Sequence, residues 1–329
     1  MVLADATVCN EAQSGRTCWA YAPGHLTGFF EIRMSDSSLL SGSIGAGICL
    51  KEGVVTETSV SSSDRNELSL LVNGSQIVSA PTCESVFEEL AALGGPVKVV
   101  ARQRSRLLPN FGYAVSGASA LSLGLALGRT LCPELSAQSI GQIAHKAEVE
   151  HLTGLGDVSA QLSGGFELRE RPGAPGVGGI RLLPLRKSLV VVSSPVLTFP
   201  TKTMITDNVF VKKINARGKE AIASFLRDQS AENFMVQSRL FWEGVGIINE
   251  DILRVLKLFE SAGVASPSAK KGVVFGFVEK DELKRVLRSL IPRFDFLVGE
   301  ELPVAINDPV NGLRLIISEV SKGGARAWE

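Results

Sequence analysis

The chain lacks net charge. Thirty-four basic side chains balance thirty-four acidic ones, so no overall field draws it to nucleic acid or to an anionic membrane, and an anionic ligand has to be held by a local arrangement. Long apolar runs are missing as well. Stretches such as Leu189 to Val192 and Leu315 to Ile317 fall far short of the roughly 20 residues that span a bilayer, so a soluble protein with neither nucleic acid nor membrane as partner is expected. Met1 to Gly15 is polar and acidic, without the basic-then-apolar order of a secretory signal, and the expected compartment is the cytoplasm. Cysteine motifs are missing too: Cys9, Cys18, Cys49, Cys83 and Cys132 are odd in number and scattered, with no CxxC spacing to gather a metal, so free thiols are expected. Cys49 and Cys132 sit in apolar runs and read as small core residues. His25, His145 and His151 show no HExxH-type spacing, which argues against a structural zinc.

What the chain does have is core material. At 329 residues and 45% hydrophobic composition, it is longer than one core usually serves, and two domains are expected. The character of the sequence changes near Lys187, which makes residues 1–186 and 187–329 the expected units. Glycine concentrates between Gly24 and Gly179, favouring backbone-mediated binding in the first half. Cys18 to Glu31, Gly45 to Thr58 and Val97 to Arg104 read as strands of one sheet, with Ser85 to Leu93 as an amphipathic helix among them. Ala118 to Gly128, small and apolar throughout, reads as a helix buried all round, and Ser136 to Glu150 as a second helix. Phe166 to Arg169, Arg181 to Pro184 and Ser188 to Ser194 read as strands. In the second half Lys219 to Arg227, Glu232 to Glu243, Asn249 to Ala262 and Lys280 to Ile291 are helical by period, while Gly272 to Val278 and Leu313 to Ser318 are short strands. The fold class is therefore α+β.

Two segments carry recognisable chemistry. Pro109 to Gly128 reads PNFGYAVSGASALSLGLALG, a proline and glycine turn leading through Ser116, Gly117 and Ser119 into the buried helix. Small residues let the backbone approach an anion, and the first amides of the helix, with its dipole, point at it. Serine hydroxyls there can donate to phosphate or ligate Mg²⁺. A serine-capped core helix is the competing reading, and a nucleophile elbow centred on Ser119 lacks its second glycine, because Leu121 stands there. The other segment, Ala144 to Gly176, places Glu148 and Asp157 nine residues apart across a helix end and a glycine turn. Such a pair suits metal holding by one carboxylate and alignment or deprotonation of a hydroxyl by the other. Taken singly, Glu148 reads as a solvated helix residue and Asp157 as a helix cap. Arg169, on the strand after Gly164 and Gly165, could hold a substrate carboxylate, or could simply face solvent.

Together these segments resemble the three-motif pattern of the GHMP kinases, named for galactokinase, homoserine, mevalonate and phosphomevalonate kinases. Ala22-Pro23-Gly24-His25 and the glycine-rich Ser43 to Gly47 look like the first motif, and Pro109 through Leu121 like the ATP phosphate loop. HLTGFFEI and AEVEHLTGLGDVSAQLSGGFELRERPGAPG make the chain most similar to the archaeal pantoate kinases. The resemblance implies a ribosomal protein S5 domain 2-like N-terminal domain, a ferredoxin-like C-terminal domain and an active site between them. It also implies ATP and Mg²⁺ as cofactors and pantoate as substrate, and it leaves room for a homodimer. Residue by residue, it gives catalytic roles to Asp157, Glu148 and Arg169. ATP binding falls to Pro109, Gly112, Ser116, Gly117, Ala118 and Ser119, the metal to Glu148 with Ser116 or Ser119, and substrate binding to His25, Ser43, Arg169 and Thr201. The third motif departs from the family: Ala265 to Gly272 reads ASPSAKKG, where Lys270 or Lys271 could reach phosphate and a solvated loop is the rival reading. A mevalonate-like or sugar kinase, a relative using phosphoribosyl pyrophosphate, and a silent ATP-binding regulator are the alternatives.

Overall fold

In the computed structural model of the protein, the described residues are 17–291, 305–308 and 313–329. The first half builds a mixed eight-stranded sheet in which β1 (Thr17–Arg33) pairs antiparallel with β2 (Gly42–Ser62). The two ends of β2 take different neighbours. Its C-terminal part, Val54 to Ser62, pairs with β5 (Val97–Ser105), while Gly45 to Ile48 pairs with β6 (Phe166–Arg171). The short β3 (Glu67–Val72) and β4 (Ser75–Gln76) extend one edge, and β7 (Gly179–Leu183) lies beside β6. A long strand whose ends serve different partners leaves a seam at its middle, and side chains of β1, β2 and β6 meet there.

Helices α1 (Pro81–Gly94), α2 (Val115–Leu131) and α3 (Ala137–Glu150) bury one face of this sheet. As its composition predicts, α2 is enclosed along nearly its whole length. Ser136 caps α3 through its hydroxyl. The short α4 (Asp157–Ser163) begins right after the glycine turn and ends at Gly164.

The second half forms a five-stranded antiparallel sheet from β8 (Leu189–Pro195), β9 (Ser268–Lys270), β10 (Val273–Glu279), β11 (Ala305–Asp308) and β12 (Leu313–Glu319). Strand alternation divides its apolar residues between two cores. Val190, Val192, Val274 and Val278 face α8 (Glu250–Ser261) and α9 (Leu283–Leu290), whereas Val191, Phe275 and Phe277 face the first half. There they join Phe29, Phe166, Phe225, Phe234 and Trp242 in one core, to which α6 (Asn208–Phe225) and α7 (Ala231–Val245) contribute. The chain then returns to the first sheet, where β13 (Arg326–Trp328) pairs with β1.

Three expectations need correction. The helix expected from Lys219 begins at Asn208, capped by Asp207, and a further short helix, α5 (Thr201–Thr206), precedes it. The NVFVKKINARG stretch that opens α6 mixes β-branched residues and a glycine, which hides its helical period. Ala265 to Gly272 is no solvated loop, since its Ser268–Lys270 part is a buried edge strand. Cys18, Cys49 and Cys83 are free and buried, but Cys132 is disulfide-bonded. No helix among the described residues is long and apolar enough to cross a membrane.

Candidate active site

The turn before α2 is held from several sides at once. Asn110 and Gly112 take positive φ, as does Ala114, which precedes the helix without capping it by a side chain. A Cβ on Gly112 would lie 2.4 Å from the Lys270 carbonyl, so only glycine lets this turn pack against the second half. The Tyr113 carbonyl accepts from the His25 amide at 2.9 Å, and the Tyr113 hydroxyl is 3.0 Å from Ser193 Oγ. The first amides of α2 thereby open onto a cleft of about 540 Å³ whose lining includes Pro109, Gly112, Ser116, Ser119, Glu148 and Asp157, with Leu70, Val72, Ile77 and Leu107 supplying an apolar end. Ala118 and Gly117 are enclosed in the helix itself. The geometry is that of an anion site at a helix start with an apolar pocket beside it.

Glu148, on the last turn of α3, is fully enclosed rather than solvated. Thr153 donates to its Oε1 at 3.3 Å, while Oε2 has no partner among the described residues. Gln161 Oε1, one turn along α4 from Asp157, is likewise unpartnered. Both oxygens sit against Gly117, where a Cβ would lie 2.9 Å from Gln161 Oε1 and 3.0 Å from Glu148 Oε2. Burial, reinforced by the negative charge of Asp157, pushes the Glu148 carboxyl up to about 8. Two orphaned oxygens at a helix start fit a hard divalent cation, which would restore the carboxylate's charge. No group of three or more His, Cys, Asp or Glu placed to hold a metal ion is present among the described residues. Ser116 lies in this region through Thr82, whose Oγ1 is 3.3 Å from Ser116 Oγ and 3.4 Å from Thr153 Oγ1. Glu150 is exposed and reaches Ser38 instead.

Asp157 opens α4 instead of capping it. Its Oδ1 accepts from Lys270 Nζ at 3.2 Å and lies 2.7 Å from His25 Nδ1. Burial opposes its ionisation, but Lys270, His25 and Lys271 outweigh that and hold the carboxyl well below the usual carboxylate range. A carboxylate this stabilised orients a hydroxyl more readily than it takes a proton from one.

A smaller cavity adjoins the cleft and shares Asp157, Thr201 and Lys271 with it. Ser43, Arg169 and Lys270 give it polar walls, while Phe30, Met204, Ile205 and Trp242 make an apolar one. Arg169 faces no solvent: it is 3% exposed, donates through NH1 to Glu167, and keeps an unpartnered Nε. Lys271, pushed down to about 8 by burial and by Lys270, donates to the Thr201 hydroxyl at the junction of the two cavities. His25 is fully enclosed and meets Asp157 from behind rather than through the cavity wall. The sequence reading passed over Glu167, Thr82, Thr153 and Gln161. Gln161 alone had a signal, lying four residues after Asp157 and so on the same helix face.

No family model matches the chain. It is similar to a pantoate kinase of Methanocaldococcus jannaschii, 32% identical over 270 residues that span 82% of this chain and 96% of that one. A pantoate kinase of Thermococcus kodakarensis is 29% identical over 278 residues, covering 82% of this chain and 91% of the other. Among solved structures, a phosphotransferase related to the coenzyme A biosynthesis pathway superposes with a TM-score of 0.81 at 24% identity, over 95% of this chain and 99% of that one. Homoserine kinase from Cytophaga hutchinsonii superposes with a TM-score of 0.64 at 15% identity, over 95% and 97%. At such identities the two structures speak to the fold alone, and that fold is the GHMP kinase fold.

Proposed function

The chain belongs to the pantoate kinase family, and from that premise we propose that it transfers the γ-phosphoryl group of ATP to the primary hydroxyl of (R)-pantoate, giving ADP and (R)-4-phosphopantoate for coenzyme A synthesis in the cytoplasm. The observation that carries the reading is the pairing of cavities. A nucleotide-sized cleft at a helix start and a small cavity with an arginine and an apolar wall meet at Asp157, Thr201 and Lys271.

Pantoate has a carboxylate at one end, a primary alcohol at the other and two methyl groups between. Arg169 offers its free donor edge to the carboxylate, with Ser43 and Thr201 beside it, and Phe30, Met204, Ile205 and Trp242 receive the methyl groups. The alcohol then falls at Asp157, whose anionic oxygen accepts its hydrogen bond and aligns the oxygen lone pair toward the cleft. In the cleft, the α2 amides with Pro109, Gly112, Ser116, Gly117, Ala118 and Ser119 take the phosphates, and Lys271 offers positive charge at the junction where phosphoryl charge shifts. Glu148, Ser116 or Ser119, and Gln161 would hold Mg²⁺. Bound there, the ion supplies charge neutralisation between phosphates. His25 sets the direction of the Asp157 carboxylate. Residues 1–186 carry the ATP site in this reading, and residues 187–329 contribute the lysines and, Phe30 apart, the apolar wall.

Release of ADP by the purified protein with ATP and Mg²⁺, compared across pantoate, mevalonate, homoserine and galactose, tests the proposal. Release dependent on pantoate supports it. Release with another alcohol, or with none, overturns the substrate assignment.

A further inference from the structure

Behind the wall of the small cavity, the buried side chains of His25 and Glu167 join Asp157 to Arg169. His25 Nδ1 lies 2.7 Å from Asp157 Oδ1, and its Nε2 lies 3.0 Å from Glu167 Oε1. The same Glu167 oxygen accepts from Arg169 NH1. His25 and Glu167 are fully enclosed, and Arg169 is 3% exposed. Three adjacent strands build the line: His25 stands on β1, Glu167 and Arg169 on β6, and Gly47 on β2 between them, paired with Glu167 in one register and with Thr27 in the other. Gly47 leaves the space the line needs, since a Cβ there would lie 2.3 Å from His25 Nε2 and 2.8 Å from Glu167 Oε1.

An ionised carboxylate only accepts hydrogen bonds. His25, set between Asp157 and Glu167, ties the two carboxyl groups together through its two ring nitrogens. The groups facing His25 are Asp157 from α4, Glu167 from β6 and Lys270 Nζ, which donates to the His25 carbonyl at 3.0 Å; Cys49 of β2 is its neighbour across the strand pair.

We propose that Glu167 is a positioning residue: through His25 on one side and Arg169 on the other, it fixes the distance between the guanidinium that grips the acceptor's carboxylate and the Asp157 carboxylate that aligns its hydroxyl. This rests on the small cavity being the pantoate site. Neither Glu167 nor its ring partner touches substrate. Together they form the template across which the two ends of the acceptor are measured.

The test has two arms. In the first, the full chain is labelled with ¹⁵N-histidine and the His25 signals are assigned by comparison with His25→Gln. Glu167→Gln is expected to move the His25 ring signals while those of His145 and His151 stay in place, without any ligand. His25 signals that do not respond to Glu167→Gln overturn the proposal, whether or not pantoate is the substrate. In the second arm, Glu167→Gln should lower kcat/KM for pantoate by roughly 10- to 100-fold, the cost of misplacing reacting groups, while KM for ATP stays within about twofold. Equal losses for pantoate and ATP, or kinetics identical to wild type, overturn it. Absence of pantoate turnover in the wild-type protein would sink the substrate reading while the first arm still decides whether Glu167 holds His25.

Discussion

Replacing Lys270 by methionine removes a buried cation while keeping most of the side chain's volume. Lys270 is 3% exposed, and its Nζ donates to Asp157 Oδ1 and to the His25 carbonyl at 3.2 and 3.0 Å. The pair is lopsided: burial, with Arg169 nearby, pushes Lys270 below the ordinary lysine value, whereas Lys270 heads the charges that hold Asp157 ionised against its burial. Removing one partner of a buried pair costs about 3–5 kcal/mol. His25 and Lys271 still face Asp157, so the lower end, about 3 kcal/mol, is expected. Unfolding entropy of about 2.1 cal/mol/K per residue converts this, for 329 residues, to a fall in Tm of roughly 4 °C. The sign with pH follows from the depressed Asp157 carboxyl. Its contribution is fully present above the ordinary aspartate value near 4 and is lost as pH falls toward its folded value. Thermal unfolding of wild type and Lys270→Met should therefore differ at pH 7 and converge below about pH 4. Adding Asp157→Asn to Lys270→Met should recover much of the loss, because the stranded charge is gone. A Lys270→Met protein as stable as wild type at pH 7, or a gap that widens in acid, would refute the reasoning.

Asp157→Asn should abolish turnover while ATP still binds, as measured by nucleotide titration; loss of ATP binding would make the residue structural. Arg169→Ala should raise KM for pantoate far more than KM for ATP in steady-state kinetics, and equal changes would remove its carboxylate role. Glu148, raised to about 8 by burial and Asp157, should release a proton when Mg²⁺ and ATP bind near neutral pH. Calorimetry in two buffers of different ionisation heat should show this for wild type and not for Glu148→Gln. Without the cation, the same raised carboxyl makes wild type lose stability relative to Glu148→Gln as pH rises from about 4.5 toward 8, a trend that thermal melts across that window would contradict if it ran the other way.

The local patterns in the first half were legible because they report local physics. The uninterrupted apolar run after Gly117 could only be a buried helix, and the carboxylates bracketing a glycine turn had to fall near one another. The second half hid more. The opening of α6 carries no clean apolar period, and α5 is too short to show one. For Lys270 and Lys271 the sequence left a phosphate contact and a solvated loop both open, because nothing local decides between them; the turn at Gly112 packs against Lys270, which is buried beside Asp157. Glu167 gave no signal at all: its partners are His25, 142 positions away in sequence, and Arg169, two positions on, a juxtaposition made by sheet register. Whether a charged side chain is solvated or enclosed is a tertiary fact, so the turn before α2 was visible where the buried line behind the small cavity was not.

The measurement that bears most directly on the account is identification of the product by ³¹P–¹H correlation NMR after the purified protein has been incubated with ATP, Mg²⁺ and (R)-pantoate. A phosphomonoester coupled to the C4 methylene protons, formed in step with ADP, is the predicted result. ATP hydrolysis yielding only inorganic phosphate, or no change in either compound, would contradict it.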